Sequence, residues 1–219
     1  MMTLYGCFRS RATRPLWMLY EAGVPFQHVP VVQGYRLPDA QAPDAPLNTA
    51  SPEFKAVNPQ GQIPALVDGD LVLTESLAIT YYLARKHGGD LGPRDRAEEA
   101  EAVNWALVAA TSEETPALEL RPVHLKGLAD TPEGNATIAD RVAQLARPFA
   151  RIEAHLAGRD WLMGGRFTVA DIVLAECVRY AAPQPGVFGP WPALGAWLAR
   201  CQSRPAFRKL WAAREAETL

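Results

Sequence analysis

Cysteine is scarce in this sequence, and neither sign of charge dominates. The 219 residues include three cysteines, Cys7, Cys177 and Cys201. Their odd number and wide spacing argue against a disulfide framework and against a zinc cluster, so we expect reduced thiols and no metal. The net charge of -2 shows no basic excess of the kind that binds nucleic acid or an acidic membrane surface. A small molecule is therefore the expected partner.

Long apolar runs are also lacking. The first ten residues, MMTLYGCFRS, contain no basic region followed by a long apolar stretch. We therefore predict neither a secretory signal nor a membrane span, and we expect the protein in the cytoplasm.

In the first 87 residues, short apolar runs alternate with segments that have helical spacing. A strand at 3–5, a helix at 11–22 and a valine-rich run at 25–32 form a β-α-β pattern, which usually makes a parallel pair. Segment 36–52 contains four prolines and is predicted as a long surface loop. Two strands then flank Gly69, which can adopt the positive φ of a tight hairpin turn, and Ser76 begins a helix.

The rest of the chain has helical spacing, with helices predicted at 97–111, 138–156, 169–181 and 193–202. The composition changes at 87–93, which holds three glycines and one proline. The predicted fold class is an α/β N-terminal domain at 1–86, a linker at 87–94 and an all-α C-terminal domain at 95–219.

Two local motifs in the first domain place unusual residue pairs at the starts of secondary-structure elements. Ile63-Pro64 begins a strand, and Glu75-Ser76 begins a helix after the intervening hairpin. Each alone also has a structural interpretation, since most Xaa-Pro bonds are trans and a serine at a helix start is often only a cap. In the second domain, Thr168-Val-Ala-Asp171 has the spacing of a capping box, which we interpret as structural.

Three longer motifs include these residues: NPQGQIPALV, TESLAI and GGRFTVADI. A fourth segment, YGCFRSRATRPLWMLYEAG, is a looser match to the same family pattern. Over essentially its whole length the chain resembles the cytosolic glutathione S-transferases, with bacterial, serine-type zeta- and theta-like classes nearest. The resemblance implies a thioredoxin-like N-terminal domain and a homodimer. It further implies glutathione as co-substrate, no metal, and a small hydrophobic electrophile as second substrate.

The resemblance also implies how glutathione is held. The Ile63-Pro64 bond corresponds to a cis bond in the family, which exposes the backbone of Ile63 to the cysteinyl part of glutathione. Ser76 corresponds to a residue that binds the γ-glutamyl carboxylate at a helix N-terminus, and Glu75 to one that faces the ammonium group. Gln62 and Lys55 would reach toward the glycine end.

The residue that activates the thiol is predicted near the first turn of the first helix. A free thiol is only about 3% ionised at pH 7, so a donor aimed at the sulfur is needed. Phe8-Arg9-Ser10 is similar to the family segment that ends in the catalytic serine, which favours Ser10; counting back from Gly23 places that serine at Arg9 instead. Ser10 has the alternative of a helix N-cap. Cys7 has two possible interpretations, an active thiol in a C-x-x-S motif and an inert buried thiol.

The second substrate is expected in an apolar cleft formed by Phe8, Trp105, Val108 and Ser112. Trp105 and Val108 lie three residues apart, which is equally typical of a helical core. The function that we predict is conjugation or isomerisation of small electrophiles by glutathione. The alternatives are a thiol oxidoreductase that uses Cys7 and a non-catalytic binding module with the same fold.

Overall fold

A computed structural model describes residues 1–218 and divides the chain into two units. The first unit contains Met1–Gly89 together with the chain from Pro205 onward, and the second contains Asp90–Arg204. Among the described residues, no helix has the length and apolarity that a membrane span requires.

The first unit contains four strands and three of the helices in its N-terminal part. They are β1 (Thr3–Tyr5), α1 (Thr13–Ala22), β2 (Gln27–Val29), α2 (Pro52–Val57), β3 (Ala65–Asp68), β4 (Leu71–Leu73) and α3 (Ser76–His87). The sheet order is β2-β1-β3-β4, with β1 parallel to β2 and antiparallel to β3, and β3 antiparallel to β4. Both the predicted parallel pair and the predicted hairpin are confirmed, and Gly69 has a φ of 62° in the turn.

The second unit is helical. It contains α4 (Arg96–Val108), which continues through a π-helical turn (Ala109–Glu113) into α5 (Glu114–Leu125), followed by α6 (Pro132–Leu156), α7 (Val169–Val178) and α8 (Pro192–Gln202). Every residue of α7 is buried. The fold class predicted from the sequence, a thioredoxin-like α/β domain followed by helices, is confirmed.

Asp171, the acidic residue of the capping box at the start of α7, has more hydrogen-bond partners than this motif requires. Asp171 accepts a hydrogen bond from the backbone N–H of Thr168 at 2.9 Å, which is its half of the capping box. Its other oxygen accepts from the N–H of Leu162 at 3.0 Å and from the indole of Trp197 at 2.8 Å. Burial raises the pKa of Asp171 to about 6, although these donors act in the opposite direction. The structural role predicted for this motif agrees with these contacts.

The last helix, α9 (Pro205–Ala216), packs with the first unit. The sequence prediction assigned 95–219 to the helical domain, whereas the contacts of α9 group it with the first unit. The physical reason is apolar packing: the ring of Phe207 lies 4.8 Å from that of Trp17 in α1, in an edge-to-face arrangement. Helix α2 was missed as well; its buried residue, Phe54, packs on Val31 and Ala65.

The proline-rich segment 36–52 is held by one asparagine. Asn48 is almost completely buried, and its amide donates to the carbonyl groups of Ala40 at 3.0 Å and Pro46 at 2.9 Å. Its side-chain oxygen accepts from the N–H of Ala50 at 2.8 Å. Hydrogen bonds to this buried side chain replace the regular backbone hydrogen bonds that the prolines prevent here.

An acidic side chain lies inside the second unit at the π-helical turn. Glu113 has no exposed surface, and neither carboxyl oxygen has a hydrogen-bond partner among residues 1–218. Burial without a partner disfavours the charged form and raises the pKa of Glu113 to about 8. The side chain is therefore held as a neutral acid at neutral pH.

Replacing this acid with its neutral isostere, Glu113→Gln, should change how stability depends on pH. The folded state keeps the proton up to about pH 8, whereas the unfolded chain releases it near its ordinary pKa of 4.5. Stability should therefore fall as pH rises through this window, by up to about 4 kcal/mol, and the variant should lack that fall. Urea unfolding at pH 5 and pH 9 measures it. The exposed Glu101→Gln serves as control, and equal pH dependence in wild type and Glu113→Gln would contradict the assignment.

Candidate functional site

The turn before β3 is built around Asn58. Its side chain is buried, and its amide donates to the carbonyl of Gln62 at 2.7 Å. Its side-chain oxygen accepts from the N–H of Gln60 at 3.2 Å, and its carbonyl accepts from the N–H of Gly61 at 2.9 Å. These bonds fix the backbone that leads into Ile63 and leave the side chain of Gln62 exposed.

Ile63 and Pro64 lie where three segments approach closely. Their peptide bond is cis, as the family resemblance implies. Pro64 lies beside Gly6, where an added Cβ would stand 3.7 Å from the Cα of Pro64 and 2.7 Å from the Cβ of Ala12. Gly6 also has a φ of 151°, so a side chain is excluded there by both space and backbone geometry. The end of β1, the start of α1 and the Ile63-Pro64 step can therefore meet.

Glu75 and Ser76 lie at the N-terminus of α3, as predicted. Glu75 is the exposed residue that precedes the helix, and Ser76 is its first residue, with only 4% of its surface exposed. The free N–H groups and the positive end of the helix dipole at this terminus favour a bound anion.

Arg14 is a residue of this site that was not predicted from the sequence. It is 1% exposed, and its guanidinium donates to the hydroxyl oxygen of Ser76 at 2.8 Å. The signal was present in the sequence: Arg14 shares a helix face with Trp17 and Met18, which are both buried. An arginine on an apolar face needs a buried partner.

Ser10 stabilises the turn that precedes α1. Its hydroxyl donates to the carbonyl of Cys7 at 2.7 Å and accepts from the N–H of Ala12 at 3.0 Å. Because α1 begins at Thr13 and not at Arg11 as predicted, Ser10 lies three residues before the helix and is not its N-cap residue. Ser10 is half-buried, and its role as the catalytic serine stays a prediction.

Cys7 is buried, with 3% of its surface exposed, and its thiol donates to the side-chain oxygen of Gln33 at 3.3 Å. Burial, and secondly the negative charge of Glu217, raise the pKa of the Cys7 thiol. Both effects disfavour the thiolate that a nucleophilic cysteine needs. The interpretation of Cys7 as an inert core thiol agrees with these observations.

The other predicted residues are distributed over both units. In the first unit, Phe8 packs edge-to-face on His28 at 5.1 Å between ring centroids, and the exposed Lys55 side chain approaches Gly61, the neighbour of Gln62. Arg9 is exposed, and its backbone N–H donates to Glu217.

The predicted electrophile residues of the second unit differ in exposure. Trp105 is buried against His155, 4.8 Å away between ring centroids, with the guanidinium of Arg151 over its ring. Val108 is also buried, whereas Ser112 is exposed. The contacts of Trp105 correspond to the core interpretation that the sequence left open.

The sequence matches two family models over most of its length. Residues 1–85 match the glutathione S-transferase N-terminal domain, and residues 103–205 match the glutathione S-transferase C-terminal domain. The chain belongs to the glutathione S-transferase family. The predicted family and enzyme class, a glutathione transferase, are thereby confirmed.

Similar glutathione S-transferases come from plants and bacteria. Glutathione S-transferase 3 of Zea mays is 36% identical over 228 residues, which cover 97% of this chain and 94% of that protein. The theta class glutathione S-transferase of Xanthomonas axonopodis pv. citri, solved with glutathione bound, is 32% identical with a TM-score of 0.76 and 95% coverage of both chains. Glutathione transferase F7 of Populus trichocarpa is 31% identical with a TM-score of 0.77, over 98% of this chain and 99% of that one.

Truncating the side chain that organises the turn, in the variant Asn58→Ala, should lower the free energy of unfolding by about 2 kcal/mol. The change removes two hydrogen bonds and leaves the carbonyl of Gln62 without its buried donor. Urea unfolding measures the effect. Gln60→Ala, an exposed side chain in the same turn, should change the free energy by less than about 0.5 kcal/mol. Equal effects of the two variants would contradict the role of Asn58.

Proposed function

We propose that this glutathione S-transferase binds glutathione in its first unit and activates the thiol for attack on a small hydrophobic electrophile, by conjugation or isomerisation. One observation carries the proposal: Ser76 begins α3 with the buried Arg14 donating to its hydroxyl oxygen and the exposed Glu75 beside it. This arrangement combines an anion-binding helix terminus, a buried positive charge and a carboxylate that is free to meet solvent-borne cations.

The two ends of the γ-glutamyl group match this chemistry. Its carboxylate would bind the first N–H groups of α3 and the hydroxyl of Ser76, where the charge of Arg14 adds attraction. Its ammonium group would pair with Glu75. A ligand that carries both charges on one carbon is thereby distinguished from a simple anion.

The rest of glutathione would extend past the turn that Asn58 organises. The backbone of Ile63, ahead of Pro64, would pair with the cysteinyl unit in the manner of a short strand. Gln62 and Lys55 are both exposed beside Gly61, and they would contact the glycine carboxylate by a hydrogen bond and by charge.

Ser10 is the proposed donor to the glutathione sulfur. Its hydroxyl hydrogen would rotate from the carbonyl of Cys7 to the sulfur, while the bond from the N–H of Ala12 to its oxygen remains. The thiol proton is released to solvent. The thiolate then forms a carbon–sulfur bond with the electrophile, and in a conjugation by substitution the leaving group departs with the bonding electron pair. A depression of the thiol pKa by about 2 units makes the thiolate the main form at neutral pH.

The electrophile contacts are proposed from the sequence prediction and the exposure of the residues. Phe8 in the first unit presents a half-buried aromatic ring, and Ser112 in the second unit is exposed. Trp105 and Val108 complete the proposed set, although their own neighbours bury them. A homodimer and a cytoplasmic location are inferred from family membership.

Removing the hydroxyl in Ser10→Ala should return the pKa of bound glutathione toward that of the free thiol. The expected rise is about 1–2 units, the value of one hydrogen bond to a charged group, with a loss of roughly 30-fold in kcat/KM for a standard aromatic electrophile. Thiolate ultraviolet absorbance followed across pH measures the pKa. Ser203→Ala, in the second unit, is the control.

The same titration separates the competing functions. Unchanged thiol ionisation in Ser10→Ala would reject the role of Ser10, and loss of activity in Cys7→Ala alone would favour an oxidoreductase. A wild type that binds glutathione without depressing its thiol pKa would indicate a binding module.

Ser76→Ala should weaken glutathione binding about tenfold, because it removes a donor to the γ-glutamyl carboxylate. Isothermal titration calorimetry measures the Kd. Thr74→Ala changes a neighbouring hydroxyl outside α3 and should leave the Kd within about twofold. Comparable losses in both variants would show that the effect is not specific to the helix terminus.

A further inference from the structure

The chain beyond α9 returns to the turn that follows β1. Glu217 accepts two hydrogen bonds there, from the backbone N–H of Phe8 to Oε1 at 2.7 Å and from the backbone N–H of Arg9 to Oε2 at 2.7 Å. Both carboxylate oxygens are thus used, on two consecutive amides. Hydrogen bonds to an ionised acceptor are short and strong, and a bidentate pair also fixes direction.

Arg214 in α9 makes a second connection to the same two residues. Its guanidinium Nη1 donates to the carbonyl of Phe8 at 2.6 Å, and its own carbonyl accepts from Nε of Arg9 at 3.3 Å. Only 9% of Arg214 is exposed, and its guanidinium lies over the ring of Trp211. The N–H and the carbonyl of Phe8 are therefore both bound by residues more than 200 positions later in the chain.

Gln33 holds this turn from another segment. Its side-chain amide donates to the carbonyl of Arg9 at 3.3 Å, and its side-chain oxygen accepts from the thiol of Cys7 at 3.3 Å. With Glu217 on the amides, the backbone polar groups of Phe8 and Arg9 all have partners from elsewhere in the first unit. Ser10 follows directly, so its position is determined by these contacts.

We propose that Glu217 is a positioning residue for the thiol-activating serine: its carboxylate fixes the Phe8–Arg9 backbone so that the hydroxyl of Ser10 is presented at one place. The inference rests on the proposed function, since it assigns Glu217 to the Ser10 step. Glu217 itself is not placed in contact with the reacting atoms.

The charge of Glu217 makes the direction of its effect diagnostic. The carboxylate raises the pKa of the neighbouring Cys7 thiol, so its negative charge acts on this turn and by itself opposes a thiolate there. If Glu217 acted only through charge, its removal would lower the pKa of bound glutathione. Positioning predicts the opposite, because loss of the fixed turn removes the donor.

The first measurement needs no glutathione. Amide hydrogen exchange at Phe8 and Arg9 is followed by NMR in wild type, Glu217→Ala, Glu217→Gln and the control Glu215→Ala. Glu215 is an exposed acid two residues earlier, in α9. Glu217→Ala should accelerate exchange of both amides about tenfold or more, and Glu215→Ala should not. Exchange at Leu4 in β1 reports whether the unit remains folded. Unchanged exchange at Phe8 and Arg9 in both Glu217 variants would overturn the proposal.

The second measurement is the pKa of bound glutathione together with kcat and KM in the same four proteins. Glu217→Ala should raise the thiol pKa by about 1 unit and lower kcat about tenfold, with KM for glutathione within about twofold. Glu217→Gln keeps a neutral acceptor and should restore part of this loss. A purely structural role would lower the folded fraction but leave the thiol pKa unchanged, and that result, or a lowered pKa, would overturn the proposal.

The two measurements also separate this inference from the function on which it rests. A wild type that does not depress the glutathione pKa rejects the proposed function, and the role of Glu217 in activation with it. A depressed pKa in wild type that Glu217→Ala leaves unchanged rejects the positioning role alone.

Discussion

The burial of α1 is the constraint on which the first unit depends. All residues from Thr13 to Leu19 are buried, and the helix packs against α3 and α9. Apolar side chains achieve this at no polar cost, but Arg14 must be given a hydrogen-bond partner, because a desolvated guanidinium without one is strongly unfavourable. Ser76 supplies it. The same bond brings the N-terminus of α3 to the start of α1.

Elements with local signals were predicted from the sequence, and elements whose signals are interrupted were not. The strand Thr3–Tyr5 was predicted to the residue, and the start of the helix Ser76–His87 and the glycine turn of the hairpin were also predicted, because glycine and periodic spacing mark these elements. Helix α5 was missed because Pro122 lies inside it, and α2 because its six residues begin at a proline within a proline-rich segment. Helix α9 also begins at a proline, and its apolar residues alternate with charges.

The residues of the site likewise divide into those that a local signal predicts and those that it does not. Ile63-Pro64 and Glu75-Ser76 are contiguous pairs, so their identity and spacing carried the information. The contacts of Arg14 with Ser76 and of Glu217 with Phe8 join residues 62 and 209 positions apart, and no local pattern encodes such pairs. One physical rule still constrained them: an arginine on an apolar face requires a partner. The sequence therefore indicated that a partner was required but did not identify it.

The return of α9 to the first unit has a consequence for synthesis on the ribosome. The thioredoxin-like sheet emerges first, but the helix that covers the Trp17 side of α1 is translated only after all of Asp90–Arg204. Until then the apolar surface that Phe207 will cover faces water, so the nascent sheet unit is less stable than the finished one. The turn that carries Ser10 gains its last two acceptors later still. Formation of a competent thiol-activating turn is therefore coupled to translation of the segment that follows α9, although every residue named in glutathione binding lies within the first ninety positions.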